Sequence, residues 1–197
     1  MQRRTLKMQD ARVREQGDKR YLEGYFAVFN REYKVCDSWS ETIAPGAFAE
    51  FLATGADVKV LWNHNHDIVL GSTAALTAVL REDSIGLWGS VEINEKDQDA
   101  VNAHARVERG DVDGCSFGFD IAAWEETWDG DQYRTKILKV DPLYEVSPCT
   151  FPAYSDTSIH ARAKEDLEKA RERYIEAERT KRENWRQEMR RRLKGED

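Results

Sequence analysis

The chain has 197 residues, with 30 Lys and Arg against 37 Asp and Glu and a formal net charge of −7. That length holds one good-sized domain and an appendage. No apolar run approaches the roughly 20 residues of a membrane span, and the basic, polar N-terminus lacks the apolar segment of a secretory signal. Three cysteines, Cys36, Cys115 and Cys149, are odd in number and sit at no metal-ligand spacing. Free thiols in a reducing, intracellular setting fit that pattern. From His160 onward 13 Lys and Arg face 10 Asp and Glu, leaving 17 against 27 for residues 1–159. The acidic body argues against nucleic acid as the main partner.

Residues 1–20 are polar and arginine-rich, which predicts a short first strand or a loose arm. Tyr21 to Phe29 is aromatic and β-branched and reads as a strand. Ser38 to Ile43 reads as irregular. Pro45-Gly46 opens a short helix through Phe48, Phe51 and Leu52, closed by Gly55. Val58 to Trp62 is an apolar strand running into Asn63-His64-Asn65-His66-Asp67. Ala74 to Leu80 and Leu87 to Ile93 flank a turn-like Glu82 to Gly86, a hairpin pattern. Between Glu95 and Val107 the period becomes helical, with Ala100, Ala103 and Val107 on one face. A strand from Gly114 to Trp128, a turn at Asp129-Gly130-Asp131, and strands at Tyr133 to Val140 and Leu143 to Cys149 complete the body.

The expected fold class is therefore α+β, mainly β: a small antiparallel barrel flanked by helices, since closure removes exposed strand edges. A body of residues 1–159 precedes a charged helical tail, 160–197. The tail carries a thin apolar stripe of Leu167, Ala170, Tyr174 and Ala177, then Trp185, Met189 and Leu193. That stripe is too narrow for a core and suits docking or loose pairing; a solvated charged helix accounts for it equally well.

Within Gly114-Cys115-Ser116-Phe117-Gly118-Phe119, strand alternation puts Cys115, Phe117 and Phe119 on one face and Gly114, Ser116 and Gly118 on the other. One hydroxyl flanked by two bare positions leaves space for another backbone to approach. A serine needs a base to take its proton, and histidine is the usual one. His104 and His160 read as ordinary surface residues, whereas His64 and His66 stand where a strand gives way to polar residues. His64-x-His66-Asp67 also admits a zinc reading, although nothing else in the chain completes such a site. Glu145 is an acid in an otherwise uncharged strand, so it either pairs or faces water.

Three separated blocks carry a resemblance: Val60-Leu61-Trp62-Asn63-His64 with Gly71 seven residues on, Gly114 to Phe119, and Glu145-Val146-Ser147-Pro148-Cys149-Thr150-Phe151-Pro152-Ala153-Tyr154. Together with Gly24 to Phe29 and Pro45-Gly46-Ala47-Phe48, their order and spacing resemble the prohead (procapsid maturation) serine proteases of tailed bacteriophages. The fold of those proteases resembles the herpesvirus assemblins. The resemblance implies Ser116 as nucleophile, His64 as base and Glu145 as the third member. It further implies peptide hydrolysis through an acyl-enzyme without cofactor or metal, inside an immature capsid in the host cytoplasm. Scaffold, the scaffolding segment of the major capsid protein and the enzyme itself would be cut. Assemblins pair, so a homodimer is expected from the likeness, with neither nucleic acid nor membrane as partner. The sequence departs from the family pattern at Cys115, usually leucine, and at Asn65, commonly aspartate. Cys115 raises a thiol nucleophile, but alternation places it opposite Ser116, where packing is the better account. The other readings are an inactive protease-fold assembly or scaffolding protein, and the zinc hydrolase.

Overall fold

The computed structural model describes residues 1–7, 9–150 and 157–194, with side chains at 1–4, 12–150 and 165–191. Contacts divide the chain into two units, Met1–Ser155 and Asp156–Asp197. The first unit runs β1 (Gln2–Lys7), β2 (Gln9–Gln16), β3 (Lys19–Val28), β4 (Tyr33–Cys36), β5 (Trp39–Ile43), α1 (Ala49–Ala53), β6 (Lys59–Trp62), β7 (Asn65–Ser72), β8 (Ala78–Glu82), β9 (Gly86–Glu92), α2 (Gln98–Glu108), β10 (Gly114–Asp129) and β11 (Gln132–Cys149). The second contains α3 (Thr157–Lys194).

The body is mainly β, but its described strands do not close into a barrel. They form a seven-stranded sheet, β1-β10-β11-β5-β4 with β6 on β11 and β7 on β6, and a four-stranded sheet, β2-β3-β9-β8. Closure is replaced by a branch. β11 is 18 residues long, and its outer edge serves two short parallel partners: β5 along Tyr133–Ile137, and β6 at Glu145 and Val146. One long strand thus does the work of the two expected around Asp141-Pro142. Proline lacks the N–H a ladder needs, and it is tolerated because Asp141 and Pro142 together oppose Asp120 in a bulge. Within 38–43, expected to be irregular, Trp39–Ile43 instead pairs as β5, and the N-terminal arm is two strands, one in each sheet.

The core is aromatic where alternation demands it. Cys115, Phe117 and Phe119 are fully buried. Phe117 and Phe119 stack at 4.8 Å, and Phe48 meets Phe117 edge-on at 5.8 Å. Each such ring contributes about 2 kcal/mol by burial. Cys115 Sγ lies against the Tyr25 and Phe26 carbonyls, as a packing residue should. A Cβ at Gly71 would stand 2.5 Å from Val91 Cγ2, so this glycine lets β7 approach β9 and bring the two sheets together.

Helix α2 starts at Asp97, whose carboxylate accepts the Asp99 N–H at 3.0 Å, and buries Ala100, Ala103, His104 and Val107. His104 is therefore a core residue, 1 % exposed, rather than the surface residue expected. The helical stripe simply extends one position further than the apolar residues alone indicate. In the second unit, α3 carries i,i+4 ion pairs such as Lys169–Glu165 and Arg179–Glu183, each stabilising by a few tenths of a kcal/mol. Among the described residues no helix is long and apolar enough to cross a membrane. His160 and the Phe151–Tyr154 end of the third motif lie outside the residues whose side chains are described.

Candidate active site

The sheet order near Ser116 is β1, β10, β11, β6. Ser116 pairs with Thr5 of β1 on one side and with Ser147 of β11 on the other, while Gly118 pairs with Glu145. Directly opposed residues share a face, so Ser116, Ser147 and Glu145 project together. Both edges of the Gly114–Phe119 segment are thus occupied, so an extended peptide cannot add to β10 alongside Ser116. The bare glycine face has another use: a Cβ at Gly118 would lie 2.6 Å from Glu145 Oε1. The space belongs to the carboxylate.

His64 reaches this face from the β6–β7 turn. Trp62 pairs with Asn65, leaving Asn63 and His64 as a two-residue loop with φ of 53° and 59°. Positive φ at both positions is what a type I′ hairpin turn requires, and asparagine suits the first. Histidine in this conformation costs about 1–2 kcal/mol. Four contacts hold it there. Asn63 N–H donates to the Pro148 carbonyl at 3.0 Å, and His64 N–H donates to Ser147 Oγ at 3.3 Å. Thr150 N–H donates to Asn63 Oδ1 at 2.8 Å, and Asn63 Nδ2 donates to Thr150 Oγ1 at 3.3 Å.

The imidazole lies over β11. His64 Nδ1 is 2.7 Å from Glu145 Oε1, and Ser147 Oγ donates to Glu145 Oε2 at 2.5 Å. Glu145 is 2 % exposed, and a carboxylate that deep is tolerated because both oxygens are partnered. With Nδ1–H donated to the carboxylate, Nε2 keeps its lone pair. His64 Nε2 and Ser116 Oγ are both buried and neither has a hydrogen-bond partner. The fold thus brings His64 and Glu145 into contact and sets Ser116 one strand away on the same face, without a Ser116–His64 hydrogen bond. Such bonds are often long before substrate binds.

Sequence reasoning missed Ser147, whose hydroxyl is committed to Glu145 and to the His64 N–H. Its spacing of two from Glu145 in a strand was the available signal. His66 and Asp67 are exposed on β7, and among the described residues no group of three His, Cys, Asp or Glu converges as a metal would need. Cys149 faces the same side as Ser147, but burial and then the Glu145 charge push its thiol up to about 12, which disables it as a nucleophile.

A hydroxyl, an imidazole and a carboxylate on neighbouring segments of a rigid β body are the parts of a serine hydrolase. The chain belongs to the caudovirus prohead serine protease family, whose model matches residues 7–172. It is 30 % identical over 167 residues to the prohead protease of Enterobacteria phage HK97, covering 80 % of this chain and 68 % of that relative. No solved structure gives a significant match. The chain is accordingly a serine peptidase of the prohead protease type.

Proposed function

We propose that this peptidase matures a tailed-phage procapsid from within, in the host cytoplasm, cutting scaffold or the scaffolding segment of the major capsid protein, and also itself. Ser116 Oγ attacks the scissile carbonyl, His64 Nε2 takes its proton and later passes it to the leaving amine, and water resolves the acyl-enzyme. Glu145 holds the imidazole with Nδ1 protonated and stabilises its charged form. One observation carries this reading: Glu145 grips Nδ1 at 2.7 Å, while the free Nε2 and the partnerless Ser116 hydroxyl are buried on one face. Ser147 is the competing hydroxyl. Its proton already serves Glu145, so it positions the acid.

Residues 1–159 act as the protease domain in this reading. The tail, 160–197, anchors the enzyme to scaffold or shell and is itself a target of cleavage. The abrupt change from acidic and β-rich to basic and helical supports that division. Wild-type, Ser116→Ala and Cys115→Ala proteins incubated and weighed intact test the chemistry. Self-truncation lost only in Ser116→Ala supports the mechanism, and an intact wild type points to the inactive assembly protein. Deleting 161–197 should spare peptidase activity and reduce incorporation into procapsids; unchanged incorporation defeats the anchor.

A further inference from the structure

The two arginines of β1 face opposite ways and have opposite fates. Arg4 is committed: its guanidinium meets Glu41 through Nε and Nη2, reaches the side chain of Gln2, and lies 5.6 Å from the Phe119 ring centroid. Arg3 is not. Its backbone opposes Gly118, which places its side chain on the face of Ser116 and Glu145. Arg3 Nε is buried without a hydrogen-bond partner, and among the described residues no carboxylate pairs with this guanidinium. A buried guanidinium Nε without a partner is unusual, because desolvating a donor without a partner is costly.

Its position is also informative. Thr5 opposes Ser116, so Arg3 stands diagonal to the serine, about 7–8 Å away at the backbone and within reach of a long side chain. Three buried polar atoms therefore wait without partners on one face: Ser116 Oγ, His64 Nε2 and Arg3 Nε. They are ordered across the sheet. The imidazole approaches from the β6 side, the serine stands on β10, and the guanidinium lies on β1. The Arg3 charge also acts on Cys149, easing down a thiol that burial and Glu145 push up. Cys149 opposes Gly114, so the charge bears on the interior of the site.

We propose that Arg3 is a further catalytic residue, donating its guanidinium N–H groups to the scissile carbonyl oxygen as negative charge develops there. This rests on Ser116 being the nucleophile. As the Oγ–C bond forms, the carbonyl π pair moves to oxygen and the serine proton moves to His64 Nε2. The oxyanion turns toward β1, away from the base, and receives the Arg3 donors. When the pair returns, the C–N bond breaks and His64 protonates the amine. Arg3 is unchanged. Donors that meet a developing oxyanion where water is largely displaced are worth more than the same groups in solvent.

The test uses p-nitrophenyl acetate, a small ester with an acyl carbonyl but no peptide backbone or side chain, on the full chain. The rate of Ser116→Ala is subtracted throughout. Arg3→Met should lower the Ser116-dependent kcat by about 100-fold with little change in KM. Arg3→Lys should lie between, since a point charge replaces a planar fork. Added guanidinium ion, at concentrations that leave the thermal midpoint unmoved, should restore part of the activity of Arg3→Ala. Activity of Arg3→Met and Arg3→Lys within threefold of wild type overturns the proposal. So does a loss confined to casein peptides, because the guanidinium then binds a substrate side chain. If Ser116→Ala hydrolyses ester and casein as fast as wild type, the nucleophile assignment itself has failed, and that is a separate result.

Discussion

A single methyl group placed on Gly118 should disable the enzyme without unfolding it. The added Cβ would lie 2.6 Å from Glu145 Oε1 and 3.0 Å from Met1 Sδ. Restoring an ordinary carbon–oxygen separation moves Oε1 by about 0.8 Å, which takes the contact to His64 Nδ1 out of hydrogen-bond range. The carboxylate has little freedom to slide, because its other oxygen is held by Ser147 at 2.5 Å. A hydrogen bond to a charged group is worth about 1.5–3 kcal/mol, so kcat/KM should fall about 10- to 150-fold. Overpacking should also cost about 1–3 kcal/mol of stability. Gly89→Ala separates the two effects: its Cβ would meet Phe26 Cε2 at 2.6 Å and Leu80 Cδ2 at 2.7 Å, a comparable clash among residues outside the site. Both variants should melt lower by similar amounts, and only Gly118→Ala should lose turnover. In a Glu145→Gln background the Gly118→Ala cost should largely vanish, since the two act on one contact. Gly118→Ala with activity within twofold of wild type refutes the role given to Glu145.

Other expectations follow from buried groups. Burial holds the His104 imidazole below its ordinary range, with Glu108 pulling the other way. The unfolded chain therefore takes up that proton first. Stability is complete above about pH 6.5 and declines as pH falls below it, and His104→Leu should flatten that segment of a Tm-against-pH curve. Arg4→Met strands the 2 %-exposed Glu41 carboxylate and should cost about 3–5 kcal/mol in urea unfolding. Arg4→Met with Glu41→Leu should recover most of it, and equal losses for single and double variants would show that the pair matters little. Iodoacetamide should modify Cys36 in the native protein and spare the buried Cys115 and Cys149 until denaturant is added, as peptide mass mapping would reveal.

Much of the site was legible because its logic is local. Period-two alternation in a strand separates Ser116 from Cys115, Phe117 and Phe119 whatever the strand pairs with, and it joins Ser147 to Glu145. The strand-end position of His64 was visible too, but not its left-handed turn. That conformation depends on β7 pairing back onto β6, and β7 is too polar at its start to announce itself as a strand. The barrel expectation failed for a related reason. Counting short strands gives the number of edges to be satisfied, but it does not say that β11 will run unbroken through Asp141-Pro142 and serve β5 and β6 along one edge. His104 was misplaced because its polarity outweighed its position on the helical stripe.

The amino-acid order alone determined which side chains share a face within each segment, Ser116 against the core aromatics and Glu145 with Ser147, and it set an acidic β-rich body against a basic helical tail. Those are properties of backbone period and composition, carried by neighbours in the chain. Tertiary structure decided everything that depends on pairing between distant segments. It set Gly118 under the Glu145 carboxylate, delivered His64 to that carboxylate from a turn 81 residues away in sequence, and placed Arg3 diagonal to Ser116 on the neighbouring strand. Register is a long-range quantity, and a shift of one residue in any of these ladders would turn each of those groups to the opposite face.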